Sequence, residues 1–138
     1  VAVYGGTFDI NSKTETINGL QIGSTDGSTA GNVISTGGAG SLIVNGLATT
    51  TGTSRIFATN GTVSANLAGA SGGLIKTTSG TVTLSGSNTY TGATTVNLGT
   101  LTCATNSEKR LVLNRDFSCN KIQGTGSVNF NGLFRIAQ

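Results

Sequence analysis

Apolar residues recur at every second position in Ser41-Leu42-Ile43-Val44, Thr81-Val82-Thr83-Leu84, Arg110-Leu111-Val112-Leu113 and Ser127-Val128-Asn129-Phe130. A period of two is that of a strand with one buried and one wet face. Further short runs of this kind are Thr7–Ile10, Thr16–Ile22, Asn32–Ser35, Arg55–Ala58, Thr62–Leu67, Thr94–Leu98, Thr100–Cys103, Lys121–Gln123 and Leu133–Ile136. Asn18-Gly19, Asn45-Gly46, Asn60-Gly61 and Asn131-Gly132 fall between runs, with Gly-Gly pairs at 5–6, 37–38 and 72–73. Asn and Gly tolerate positive φ, so these positions read as corners. No helical periodicity competes with the strands, and no segment reads as an interdomain linker. Residues 1–138 are expected to form a single domain.

The spacing narrows the fold. Leu20-Gln21-Ile22-Gly23, Leu42-Ile43-Val44-Asn45-Gly46, Val63-Ser64-Ala65-Asn66-Leu67, Val82-Thr83-Leu84-Ser85-Gly86 and Leu101-Thr102-Cys103 repeat loosely. Their interval is about 20–25 residues, the range of coiled repeat architectures. Sandwiches and hairpin barrels share the short strands but not this repetition. The expectation is an all-β solenoid of about six coils.

Composition agrees and adds exclusions. Thr, Gly, Ser and Asn (24, 22, 14 and 13 residues) make up just over half of the 138, and Pro, His, Met and Trp are absent. Gly and Thr stand where a helical domain would carry Ala, Leu, Glu and Lys. No apolar run approaches the roughly 20 residues of a membrane-spanning helix. Without His there is no Ser–His–Asp triad, Cys–His pair or His-ligated zinc. The acids Asp9, Glu15, Asp26, Glu108 and Asp116 are scattered, and the chain is expected to be non-catalytic, with no cofactor and no metal. Thr-x-Thr occurs at 14–16, 49–51, 51–53, 81–83 and 100–102 without one fixed period, which argues against an ice-binding ladder.

Charge is distributed unevenly. Residues 1–103 balance, whereas 104–138 hold Lys109, Arg110, Arg115, Lys121 and Arg135 against Glu108 and Asp116, so the net +3 sits in the last quarter. Such a cluster suits an anionic surface polysaccharide or a neighbouring subunit. Aromatic residues do not interleave with it, which speaks against nucleic acid. Cys103 and Cys119 stand 16 positions apart without a CxxC or a second ligand pair. In a composition that looks extracellular, a structural disulfide is favoured over two buried thiols.

The most specific stretch runs from residue 72 to 101: Gly72-Gly73-Leu74-Ile75-Lys76-Thr77-Thr78-Ser79-Gly80-Thr81-Val82-Thr83-Leu84-Ser85-Gly86-Ser87-Asn88-Thr89-Tyr90-Thr91-Gly92-Ala93-Thr94-Thr95-Val96-Asn97-Leu98-Gly99-Thr100-Leu101. It resembles the passenger-associated transport repeat of bacterial autotransporters. That family's pattern has a Gly-Leu-x-Lys start, a Gly-Thr-Leu-Thr-Leu-Ser-Gly strand, an Asn-Thr-Tyr-Thr-Gly corner, then Thr-Thr-Val and Gly-Thr-Leu. Val82 replaces the first Leu of the strand, and Leu98 precedes the final Gly. The resemblance implies a right-handed parallel β-helix displayed outside a bacterial cell. Within it Val82, Leu84, Val96 and Leu101 are expected inward, Thr81 and Thr83 outward, and Tyr90 as an apolar cap on a corner. The strand-like text after Leu101 and the two cysteines depart from the family's usual pattern.

Three functions share such a fold: a structural subunit of an extracellular fibre or surface layer, an adhesin passenger that binds glycans or host surfaces, and a polysaccharide-cleaving enzyme. The scattered acids disfavour the third. The apolar ends, Val1-Ala2-Val3-Tyr4 and Leu133-Phe134-Arg135-Ile136, favour the first. A head-to-tail contact between copies is expected to involve Val3, Tyr4, Leu133, Phe134 and Ile136, with Arg135 at its rim. The expected partner is therefore another copy of the chain, with a surface polysaccharide as the alternative.

Overall fold

The computed structural model describes the backbone of residues 1–45, 55–106, 110–113, 117–119, 127–130 and 134–136, and the side chains of 1–45 and 55–102. The strands are β1 (Ala2–Val3), β2 (Thr7–Asp9), β3 (Thr14–Ile17), β4 (Leu20–Ile22), β5 (Gly31–Ile34), β6 (Ser41–Val44), β7 (Ile56–Ala58), β8 (Gly61–Val63) and β9 (Asn66–Gly69). They continue as β10 (Leu74–Lys76), β11 (Thr81–Asn88), β12 (Thr94–Val96), β13 (Thr100–Asn106), β14 (Arg110–Leu113), β15 (Phe117–Cys119), β16 (Ser127–Phe130) and β17 (Phe134–Ile136). Every strand pairing is parallel.

From β1 to β9 the chain visits three sheets in turn, and from β10 onward the described strands alternate between the first two. The first sheet orders β1-β4-β7-β10-β12-β14-β16, the second β2-β5-β8-β11-β13-β15-β17, and the third β3-β6-β9. Such a topology is a parallel β-helix, the fold class the sequence predicts. Among the described residues the first and second sheets each hold seven strands, and the spacing predicts about six coils. Among the described residues no helix is long and apolar enough to cross a membrane.

In-register pairing turns successive strands into columns of residues that share one position on every coil. In the first sheet an inner column runs Val3, Ile22, Ala58, Lys76, Val96, Leu113 and Phe130. In the second, one runs Phe8, Val33, Val63, Leu84, Cys103, Cys119 and Ile136. Ile22, Ala58, Val96, Val33, Val63 and Leu84 are fully buried, and Leu42, Leu67, Leu74, Val82 and Leu101 complete the core. Alternation is the cause, since β11 reads exposed, buried, intermediate, buried over Thr81-Val82-Thr83-Leu84.

Sequence and structure differ locally. The runs Thr16–Ile22 and Thr62–Leu67 each split into two strands on different sheets, at Asn18-Gly19 and Ser64-Ala65. Strands β1, β10 and β15 were not anticipated, being two or three residues long with too little alternation to register. The opening residues, which look loose in sequence, form the first coil. Lys121–Gln123 lies outside the described residues.

Candidate functional site

Among the described acids, hydrogen bonds hold two carboxylates in place, Asp9 at the end of β2 and Asp26 in a loop. Asp9 accepts from Thr36 Oγ1 at 2.6 Å, Thr36 N at 3.1 Å and Asn11 N at 2.8 Å, and the Thr36 hydroxyl leads in holding its pKa below the usual 3.8. Asp26 accepts from Ser24 Oγ at 2.5 Å, Ser28 Oγ at 2.8 Å and Ser28 N at 3.0 Å, which lowers its pKa to about 2, Ser24 contributing most. Each carboxylate braces a turn in the manner of an Asx motif.

Glu15 stands differently. It lies on β3, in register with Leu42 and then Leu67, both fully buried, yet it is itself exposed because β3 is the first strand of its sheet. An acid therefore occupies an inward column position on the first described strand of the third sheet.

The N-terminal end of the rod is formed by β1, β2 and β3, each the outermost strand of its sheet. Of the residues expected at an end-to-end joint, Val3 is 7% exposed and belongs to the core, whereas Tyr4 is 59% exposed. Val3 is thus a terminal rung of the inner column rather than a free side chain. Phe8 packs against the same core from the edge. At the other end, Phe134 and Ile136 lie on β17, the outermost strand of the second sheet, in register with Phe117 and Cys119. Leu133 lies outside the described residues.

On the outer face of the first sheet, a column runs Ala2, Gln21, Phe57, Ile75 and Thr95. Phe57 is 45% exposed, and shallow hollows flank it. One of about 350 Å³ is lined by Gly19, Gln21 and Arg55, the other by Gln21, Thr25, Thr59 and Thr77. The sequence gives no sign of this surface, because Phe57 reads there as part of an ordinary apolar run.

The repeat-like stretch builds its corner around a buried cation. Lys76 Nζ donates to the Thr78 carbonyl, to Thr78 Oγ1 at 3.1 Å and to the Leu98 carbonyl at 3.3 Å. The Thr78 hydroxyl donates in turn to the Thr59 carbonyl at 2.6 Å, so three coils meet there. Burial lowers the Lys76 pKa from 10.5 to about 8. At the next corner, between β11 and β12, Tyr90 is buried and its hydroxyl lies 2.6 Å from Thr94 Oγ1, so it fills that corner's interior instead of presenting a flat face to a sugar. Asn88 Oδ1 accepts from the Leu67 amide at 3.1 Å, tying the long strand to the coil before it. Leu98, where the stretch departs from the family pattern, is 39% exposed.

The predicted disulfide pair falls on β13 and β15, whose register sets Cys103 against Cys119. Of the basic quarter, Arg110 lies on β14 and Arg135 on β17, while Lys109, Arg115 and Lys121 lie outside the described residues.

Residues 74–102 match the family model described as passenger-associated-transport-repeat, as the motif in the sequence led us to expect. No curated protein and no solved structure matches the chain. The matched stretch covers β10 to β12 and the opening of β13. The chain thus carries a segment that matches the passenger-associated-transport-repeat model within a parallel β-helix.

Proposed function

We propose that the chain is a non-catalytic structural β-solenoid, exported to the bacterial cell surface, that associates end to end with further copies of itself. The passenger-type repeat supports export and surface display, since its family implies both. The observation that carries self-association is the register at the two ends. Continued by one coil, the second sheet's column brings Ile136 of one copy against Phe8 of the next, and Arg135 against Thr7. The first sheet's column brings Phe130 against Val3 and Asn129 against Ala2. Apolar positions meet apolar positions in both sheets, and polar or small positions meet in the columns between. A joint of this kind is heterologous and does not close on itself, so it propagates as a fibre.

Glu15 opposes the same joint in the third sheet. Covering its column places a carboxylate among apolar rungs, at a cost of several kcal/mol unless it is paired. The association is accordingly reversible and concentration-dependent. Light scattering and negative-stain electron microscopy across a concentration series test the proposal. The 138-residue chain is expected to grow into filaments, Phe8→Lys to remain monomeric, and Glu15→Leu to assemble at lower concentration. A wild-type chain that stays monomeric at the highest attainable concentration refutes self-association.

One observation favours a second reading, glycan binding by a displayed passenger. Phe57 offers an exposed ring between two hollows, one of them lined by Gln21, Thr25 and Thr77, an arrangement suited to stacking on a sugar with polar partners beside it. Glycan binding that is lost in Phe57→Ala, by a chain that remains monomeric, establishes this reading over the first.

A further inference from the structure

We infer that Cys103 and Cys119 form a disulfide that clasps two successive coils, fastening the last strand of the passenger-type repeat to the basic final quarter of the chain. The register carries the inference. Strands β13 and β15 are neighbours in the second sheet, and Cys103 and Cys119 are directly paired on them. Neighbouring strands lie about 4.8 Å apart, within the roughly 4.4–6.8 Å between Cα atoms that a disulfide spans. Their shared column passes through Val33, Val63 and Leu84, all fully buried, and ends at Ile136. A cysteine pair 16 positions apart could fall on different sheets or on offset rungs. The observed register removes that freedom and places the two on consecutive rungs of one column.

The segment between them contains Lys109, Arg110 and Arg115, three of the five cations that give the last quarter its excess charge. The clasp closes this segment into a loop. In the unfolded chain such a crosslink restricts conformational freedom, and the gain grows with the length of the closed loop.

The bond forms by two thiol–disulfide exchanges with a disulfide-bearing oxidant of the export compartment. The thiolate of one cysteine attacks the oxidant's disulfide and releases one oxidant thiol. The thiolate of the second cysteine then attacks the resulting mixed disulfide and releases the other. Two cysteine thiols are oxidised to one disulfide, and one oxidant disulfide is reduced to two thiols, with the protons retained on them.

The tryptic sites between the cysteines provide the test. The purified 138-residue chain is oxidised with a glutathione redox mixture, its free thiols are alkylated under denaturing conditions, and it is digested with trypsin. Cleavage after Lys109, Arg110 and Arg115 separates Cys103 from Cys119 in the backbone, so their peptides are expected to co-migrate as one crosslinked mass that falls apart on reduction. Reduction is also expected to lower the thermal midpoint of the wild type and to leave that of Cys103→Ser/Cys119→Ser unchanged. Both cysteines alkylated without prior reduction, or linkage only between separate chains, overturns the inference. This readout does not depend on the state of assembly.

Discussion

Gly61→Ala is expected to destabilise the protein by about 3–5 kcal/mol, while Gly6→Ala is nearly silent. Gly61 follows Asn60 at a corner and takes φ +139°, a conformation that an L side chain rarely adopts. It is also pressed against the coil beneath, where an added Cβ meets the Gly31 carbonyl oxygen at 1.8 Å. An unstrained carbon contact is roughly 3.5 Å, so the strands must part by more than an ångström. That displacement removes the bond from the Gly31 amide to the Asn60 carbonyl, now 3.1 Å. A buried backbone group left unpaired costs about 1–3 kcal/mol, and the forced backbone conformation about 1–3 kcal/mol more. Against a total stability of about 5–15 kcal/mol, the thermal midpoint should fall by on the order of 10–15 °C. At Gly6 a Cβ meets nothing within 4 Å. Its replacement should stay within about 0.5 kcal/mol. Urea titration and thermal melts followed by circular dichroism read both variants. Gly61→Ala melting with the wild type, or Gly6→Ala melting as low as Gly61→Ala, refutes the close-stacking argument.

Leu84→Asp should fail to fold, because it places a carboxylate at a fully buried rung between Val63 and Cys103 in the column. Thr83→Ser on the neighbouring outward rung should melt within a degree or two of wild type, and similar melts for the two variants contradict the inward assignment. Lys76 sets a pH dependence. Its folded pKa of about 8 lies below the unfolded 10.5, so the unfolded chain binds the proton more tightly and stability rises as pH climbs from about 8 to 10.5. Lys76→Met should lower stability yet flatten that rise, and an unchanged slope in the variant shows that burial of Lys76 is not its source.

Alternation over Thr81–Leu84 made the inward rungs legible because it spans enough residues to define a face. Strand β10, only Leu74-Ile75-Lys76, does not, and its inward rung ends in a cation that reads as surface. Irregular coil length hid the rest. Gln21 and Phe57 are successive members of one column yet lie 36 positions apart, whereas Phe57 and Ile75 lie 18 apart. A fixed repeat length therefore fails where a fixed register holds. The threonines show the same effect, because Thr62, Thr83 and Thr102 stack in one outer column although Thr-x-Thr has no constant period along the chain.

Register also explains why the candidate sites were only half legible. Apolar character at the two ends is visible in the sequence, but its meaning depends on which positions face which. Val3 and Phe8 belong to inner columns whose last members are Phe130 and Ile136, while Tyr4, which looks equivalent to Val3 in the sequence, points away into solvent. The opposing element was invisible for the same reason. Glu15 reads as one more surface acid until its register with Leu42 shows that it shares a column with core leucines. In the proposed end-to-end contact, apolar positions therefore meet in two sheets while Glu15 opposes the contact in the third. Under the proposed self-association, a contact so opposed would form when copies are concentrated and release when they are dilute.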